Sequence, residues 1–187
     1  MMAQTHTAIG VSWWLGISVA VRPGPLPVLA GAAVAGLLAV APDIDKRKTE
    51  AARSLPPVTT ALAWGLSKCW GGHRGITHSA VGVAGMAVLA AAGWLLTGVS
   101  WWVPAAVMTG WCSHLAADMA TRSGIAFAWP DLTPWYWLPK PWRVTTGLMR
   151  KRLRGSRRKK HTAEWWLVRP AAVASCLILA GLVVAGW

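Results

Sequence analysis

Acidic residues are scarce in this chain: six in 187 residues, against nineteen Lys and Arg, for a net charge of +13. Charged residues of both signs make up only 13% of it, while 55% are hydrophobic and the mean hydropathy is +0.41. That balance excludes an ordinary soluble domain. Apolar stretches with a cationic remainder mark an integral membrane protein with basic loops. A purely nucleic-acid-binding protein would share the high pI but would not need the apolar runs. Cysteine is also rare: Cys69, Cys112 and Cys176 form no Cys-x-x-Cys pair, which excludes a disulfide framework or a thiolate zinc knuckle. Cys112, two residues before His114, reads as a small buried apolar residue. No basic n-region or small-residue cleavage site stands out, so no signal peptide is expected. Internal repeats and heptads are absent.

What is there begins with apolar segments. Five are expected, over residues 7–21, 26–41, 79–98, 101–120 and 166–187. The last three reach the ~20 residues that a spanning helix needs. The first two are shorter and are read as a tight hairpin turned by Arg22-Pro23-Gly24-Pro25. A short interfacial helix is expected between Ser54 and Trp70. If all five segments span, residues 42–77 and 119–169 share one side with the N-terminus and carry 18 of the 19 Lys and Arg; Arg22 alone falls opposite. The positive-inside rule then places the N-terminus and the basic loops in the cytoplasm. The expected fold is all-α: a polytopic helical membrane protein of about five apolar helices with a cytoplasmic-side interfacial loop region. One domain, 1–187, comprises a motif-bearing core (4–130), a Trp/Pro and basic interfacial segment (129–161) and a C-terminal transmembrane helix (166–187). Indole rings suit the headgroup layer. Arg150–Lys160, with eight Lys/Arg in eleven residues, suits anionic lipid headgroups and could also contact nucleic acid.

The chemistry-bearing residues gather at segment ends on the cytoplasmic side. Pro42 closes the second helix, and an extended Asp43-Ile44-Asp45 would send both carboxylates to one side, as a hard or borderline divalent cation prefers. The plain alternative is an interfacial turn whose acids pair with Lys46, Arg47 or Lys48. In His73-Arg74-Gly75-Ile76-Thr77-His78-Ser79, Thr77 is the expected N-cap of the third helix, with His78 in its first turn. There the positive dipole end favours the neutral imidazole that binds metal. Arg74 offers a planar donor fork for a phosphate oxygen. His114 and Asp118, four apart on a helix, share one face; an intrahelical hydrogen bond would explain that spacing as simply. His6 precedes the first span, and Glu164, three residues after His161, precedes the fifth. Asp131 is read as a surface residue and Glu50 as paired with nearby Lys and Arg. Acids and imidazoles are costly near lipid, ~2.5–3.5 kcal/mol for Asp at mid-bilayer. A divalent metal is the positive charge that would gather them.

Pro42-Asp43-Ile44-Asp45, His73–Ser79 and Ser113-His114-Leu115-x-x-Asp118-x-x-Thr121-x-x-Gly124, ending at Trp129-Pro130, resemble the YdjM-like bacterial inner-membrane metal-dependent hydrolases, some of them under LexA control. His6 fits the same pattern, and the resemblance covers residues 4–130. More distantly, the order His, Asp, His, His-x-x-x-Asp and a late Glu is similar to the zinc-dependent phospholipase C and single-strand nuclease superfamily. The chain departs from that pattern in lacking a late His-x-x-x-Glu. These resemblances imply a hydrolase of the inner (cytoplasmic) membrane, acting on a phosphoester such as a lipid headgroup through a metal-activated water. The expected metal ligands are His6, Asp43, His73, His78, His114 and Asp118. Asp45 or Glu164 would accept a proton, and Arg74 would steady phosphoryl charge. Zinc is the expected ion, with Mn or Fe also suiting mixed His/Asp ligation. The alternative is a non-enzymatic membrane scaffold with a structural metal and a basic lipid- or nucleic-acid-binding segment.

Overall fold

The computed structural model describes residues 2–45, 65, 75–145, 148–153, 156–161 and 164–185; the side chains of 45, 148–153, 156–161 and 165–166 lie outside that description. The interfacial helix expected between Ser54 and Trp70 falls outside it too, as do Glu50, His73 and Arg74. The described architecture is helical apart from one short ribbon. Five α-helices follow in order: α1 (Ala3–Val21), α2 (Pro25–Leu38), α3 (Ala80–Thr97), α4 (Trp102–Met119) and α5 (Arg169–Val184). Between α4 and α5, β1 (Leu148–Leu153) pairs antiparallel with β2 (Ser156–His161).

The α1–α2 hairpin turns where the sequence places it. Arg22 takes a left-handed conformation (φ 53°) and its N–H bonds Ser18 O at 2.9 Å, closing α1. Gly24, at φ 88°, occupies a region that other residues rarely adopt, and Pro25 then starts α2 where its missing N–H costs nothing. The helices pack through small residues. A Cβ added to Gly10 would sit 2.7 Å from Ala35 O and from Ala39 Cβ, and one on Gly31 would collide with the Trp14 indole. These contacts run antiparallel: the start of α1 meets the end of α2. Gly110 brings α4 against the same Ala35 backbone. Close backbone approach through Gly and Ala is how helices associate where lipid removes the hydrophobic drive.

Helix α1 is central, packed by α2, α4 and α5, while α3 leans on α4. Trp14 is fully buried with Ala35 and Ala106, its Nε1 donating to Pro27 O at 3.0 Å. A second cluster, Trp111, Leu115 and Ile125, joins α4 to the loop after it. The exterior is apolar: Leu29, Leu37, Leu96, Leu177 and Val184 are all exposed. Lipid is the solvent that such a surface fits.

Among the described residues, length and apolarity single out two helices as able to cross a membrane: residues 25–44, where α2 continues through the 3-10 turn after it, and α3. The second segment is therefore longer than expected. Helix α5 is shorter, because a π-helical turn (Glu164–Val168) precedes it and leaves 16 α-helical residues. Two local expectations are corrected. Ala41–Asp45 winds into a 3-10 turn, not an extended strand, so alternation does not set the relation of Asp43 to Asp45. Thr77 and His78 lie in a separate 3-10 turn (Ile76–His78), and Ser79 caps α3 by accepting from Gly82 N at 3.3 Å. Capping moves there because Ser79, not Thr77, has the extended backbone that a cap requires (φ −115°, ψ 170°).

The Trp/Pro segment is irregular, as expected, yet tied down. Ile125 and Trp135 exchange backbone hydrogen bonds, Val144 N donates to Ala120 O, and Trp137 Nε1 donates to Ala116 O. The Arg143 guanidinium lies 3.4 Å above the Tyr136 ring. Trp135, Trp137 and Trp142 are exposed. Asp131 is a surface residue: the Thr133 hydroxyl and then the Thr133 N–H hold its carboxyl below the usual carboxylate range.

Candidate metal centre

Three separate stretches deliver side chains to one point. The turn after α2 carries Asp43, the turn before α3 carries His78, and the last turns of α4 carry His114 and Asp118. Each offers one ligand atom, and these four atoms lie within 4.8 Å of one another. His78 Nε2 is 3.0 Å from His114 Nε2. Asp43 Oδ1 is 3.6 Å from the first nitrogen and 3.7 Å from the second. Asp118 Oδ2 is 3.9 Å from both. Four donors at ~2.0–2.2 Å from a tetrahedral ion stand about 3.3–3.6 Å apart, so these spacings bracket a single cation. The donor set is mixed nitrogen and oxygen, which suits Zn, Mn or Fe.

Hydrogen bonds outside the cluster aim the rings inward. His114 Nδ1 is 2.7 Å from Ala39 O. A carbonyl only accepts, so Nδ1 carries the proton and the neutral ring turns its Nε2 lone pair toward the cluster. His78 Nδ1 pairs with the Thr77 hydroxyl at 3.0 Å. The Thr121 hydroxyl donates to Asp118 O at 2.7 Å, holding the end of α4. His78 and His114 are fully buried and the Asp118 side chain is 1% exposed; the Asp43 side chain, at 17%, is the cluster's contact with solvent. Two carboxylates enclosed in this way without a compensating charge would be costly. A divalent cation matches their charge.

His6 joins from the first turns of α1. Its ring stacks on His114 with centroids 3.9 Å apart, and its Nε2 is 3.5 Å from Asp118 Oδ1. It therefore meets the carboxylate oxygen not turned to the other two histidines. Glu164 goes elsewhere: fully buried, it accepts the Met2 backbone N–H through Oε1, at the start of α1. An acid there complements the positive end of the helix. His73 and Arg74 are outside the described residues, as is the Asp45 side chain. The intrahelical explanation for His114 and Asp118 does not hold, since 3.9 Å is too long for a hydrogen bond. Sequence reasoning missed the supporting atoms. Thr77 lay within a motif but was assigned to capping, and the Ala39 carbonyl has no signal in the sequence at all.

Fold and site together define a helical membrane protein with a buried His/Asp cluster that could hold a metal ion. The chain belongs to the YdjM inner membrane protein family, whose model matches residues 1–187. It is 33% identical over 98 residues to inner membrane protein YdjM of Escherichia coli K12, and equally to that of Shigella flexneri. The matched region is 50% of this chain and 46% of those relatives, so this chain matches about half of their length. No solved structure matches. The family places this protein in the inner membrane.

Proposed function

We propose that this protein is a membrane-bound, metal-dependent hydrolase that cleaves a phosphoester, such as a lipid headgroup, at the cytoplasmic face of the inner membrane. The observation that carries the reading is the convergence of Asp43, His78, His114 and Asp118 within 4.8 Å. Those four would hold the cation, zinc first among the candidates. When bound, a divalent ion supplies Lewis acidity toward a phosphoryl oxygen and lowers the pKa of water. His6 positions Asp118 from the far side of the carboxylate. Asp45, two residues from Asp43, is assigned as proton acceptor and Arg74 as the donor to phosphoryl charge. Glu164, engaged with the start of α1, is assigned to holding that helix rather than to proton transfer.

All five helices cross the membrane in this reading, with the N-terminus and the basic loops cytoplasmic. The ribbon supports an anionic partner on that side. Its register sets Arg150 opposite Lys159, Lys151 opposite Arg158 and Arg152 opposite Arg157. A backbone ribbon that lines up this many cationic residue types suits a surface of lipid phosphates. The exposed Trp135, Trp137 and Trp142 suit the same headgroup layer.

One observation favours a second reading, a scaffold with a structural metal: the cluster is nearly closed, with three of its four residues buried, and closed sites are the structural kind. Metal analysis of detergent-purified protein, beside Asp118→Ala, followed by a headgroup-release screen on mixed lipids, separates the two. The hydrolase predicts bound transition metal and release that both disappear in the variant. Metal without release, together with unfolding on chelation, establishes the scaffold. Wild-type protein lacking metal refutes both.

A further inference from the structure

We infer a lipid-binding site at the end of the bundle remote from the metal cluster: the crevice between α1, α2 and α5 takes one anionic phospholipid of the outer leaflet. Along α1, sixteen residues separate His6 from Arg22, about 24 Å of helix. At the Arg22 end lies a cavity of ≈ 450 Å³, a size ordinary for a small-molecule site. Val28 and Leu29 of α2 and Val183 and Val184 of α5 form its apolar wall. Two polar residues interrupt that wall. Arg22 lines the crevice, is exposed, and is the one Lys or Arg before Lys46 in the chain. Ser18 also lines it, is 2% exposed, and its Oγ has no hydrogen-bond partner.

The order of these groups matches a phospholipid met from its headgroup inward. Arg22 ends α1 and presents a guanidinium, whose fork suits a phosphate. Ser18 lies one turn deeper, about 6 Å along the helix, and offers a hydroxyl donor at the depth of an ester carbonyl. A buried hydroxyl without a partner is unfavourable, and a lipid carbonyl would satisfy it. Val28 and Leu29, at the start of α2, and Val183 and Val184, in the last turn of α5, lie level with Ser18 and Arg22 and would flank the glycerol backbone and the first methylenes of an acyl chain. A neutral apolar filler would leave Ser18 unsatisfied and Arg22 unpaired, whereas an anionic lipid answers both.

The outer-leaflet assignment rests on the five-span topology proposed above; the lipid contact itself does not depend on the metal. The test uses full-length protein with a diazirine in the acyl chain of phosphatidylglycerol or phosphatidylcholine, and maps crosslinks by mass spectrometry. Phosphatidylglycerol is expected to label peptides holding Val28–Leu29 and Val183–Val184 at least fivefold more than phosphatidylcholine does. Arg22→Gln should abolish that preference while metal content stays at the wild-type level. Filling the crevice with Val183→Trp should suppress labelling by both lipids. Equal labelling of wild type by the two lipids, or an undiminished preference in Arg22→Gln, overturns the site. Labelling of Arg22→Cys by a membrane-impermeant maleimide, above the parent's background and only from the cytoplasmic side, overturns the leaflet while leaving the crosslinking result to be read by itself.

Discussion

Replacing Asp118 with Asn should cost more stability with metal than without it. The substitution keeps the shape of a side chain that is 1% exposed and removes its charge. The Asp43 and Asp118 ligand oxygens lie within 4.8 Å of each other. Two unit charges at that separation repel by about 3.5 kcal/mol at an effective dielectric of about 20. Proximity of His6 Nε2, at 3.5 Å from Asp118 Oδ1, offsets part of this. Relief of that repulsion should therefore make Asp118→Asn cost less stability in chelated protein than in metal-loaded protein. With metal present the loss is larger. Supporting residues around a metal alter affinity by ~10–100-fold, so loss of an anionic ligand should cost at least about 100-fold. That removes about 2.7 kcal/mol of metal-linked stabilisation at saturating ion. The assay is thermal unfolding in detergent with chelator and with added zinc, alongside metal content. If metal raises the melting temperature of Asp118→Asn as much as that of wild type, Asp118 is not a ligand and the reasoning fails.

Two further outcomes follow from the packing around the cluster. Thr77→Val removes the hydroxyl 3.0 Å from His78 Nδ1 and should weaken metal affinity ~10–100-fold; competition against a chromogenic chelator reads this, and an unchanged affinity would show that the hydroxyl does not orient the ring. Gly10→Val forces a side chain into a position where even a Cβ would be 2.7 Å from Ala35 O and Ala39 Cβ. It should destabilise the protein by about 1–3 kcal/mol and, by shifting the Ala39 carbonyl that bonds His114, lower metal occupancy as well. Retained melting temperature and occupancy would contradict the close α1–α2 contact.

Much of the site was legible because lipid makes polar residues conspicuous. His6, Asp43, His78, His114 and Asp118 stood out as acids and imidazoles at the ends of apolar segments, and all five meet. The Arg22–Pro25 turn was legible for a local reason, since Gly and Pro restrict the backbone directly. Legibility failed where two local solutions competed. Thr77 and Ser79 are both good caps, and the choice fell to Ser79 only once Ile76–His78 had wound into its own turn. Asp43 and Asp45 were read as extended because Pro42 ends a helix, but a 3-10 turn ends it equally well.

By itself the sequence determined the membrane class, the helical segments and the residue types available for a metal, because hydropathy, turn chemistry and charge act over a few residues at a time. Only the tertiary structure decided which of those residues meet. Glycines 10, 31 and 110 let α1, α2 and α4 close on Ala35 and Trp14. That closeness carries the Ala39 carbonyl to His114, 75 residues away, and the His6 ring onto its face. Glu164, another acid at the end of an apolar segment, meets the start of α1 instead. Helix packing fixes these distances, and no run of neighbouring residues encodes them.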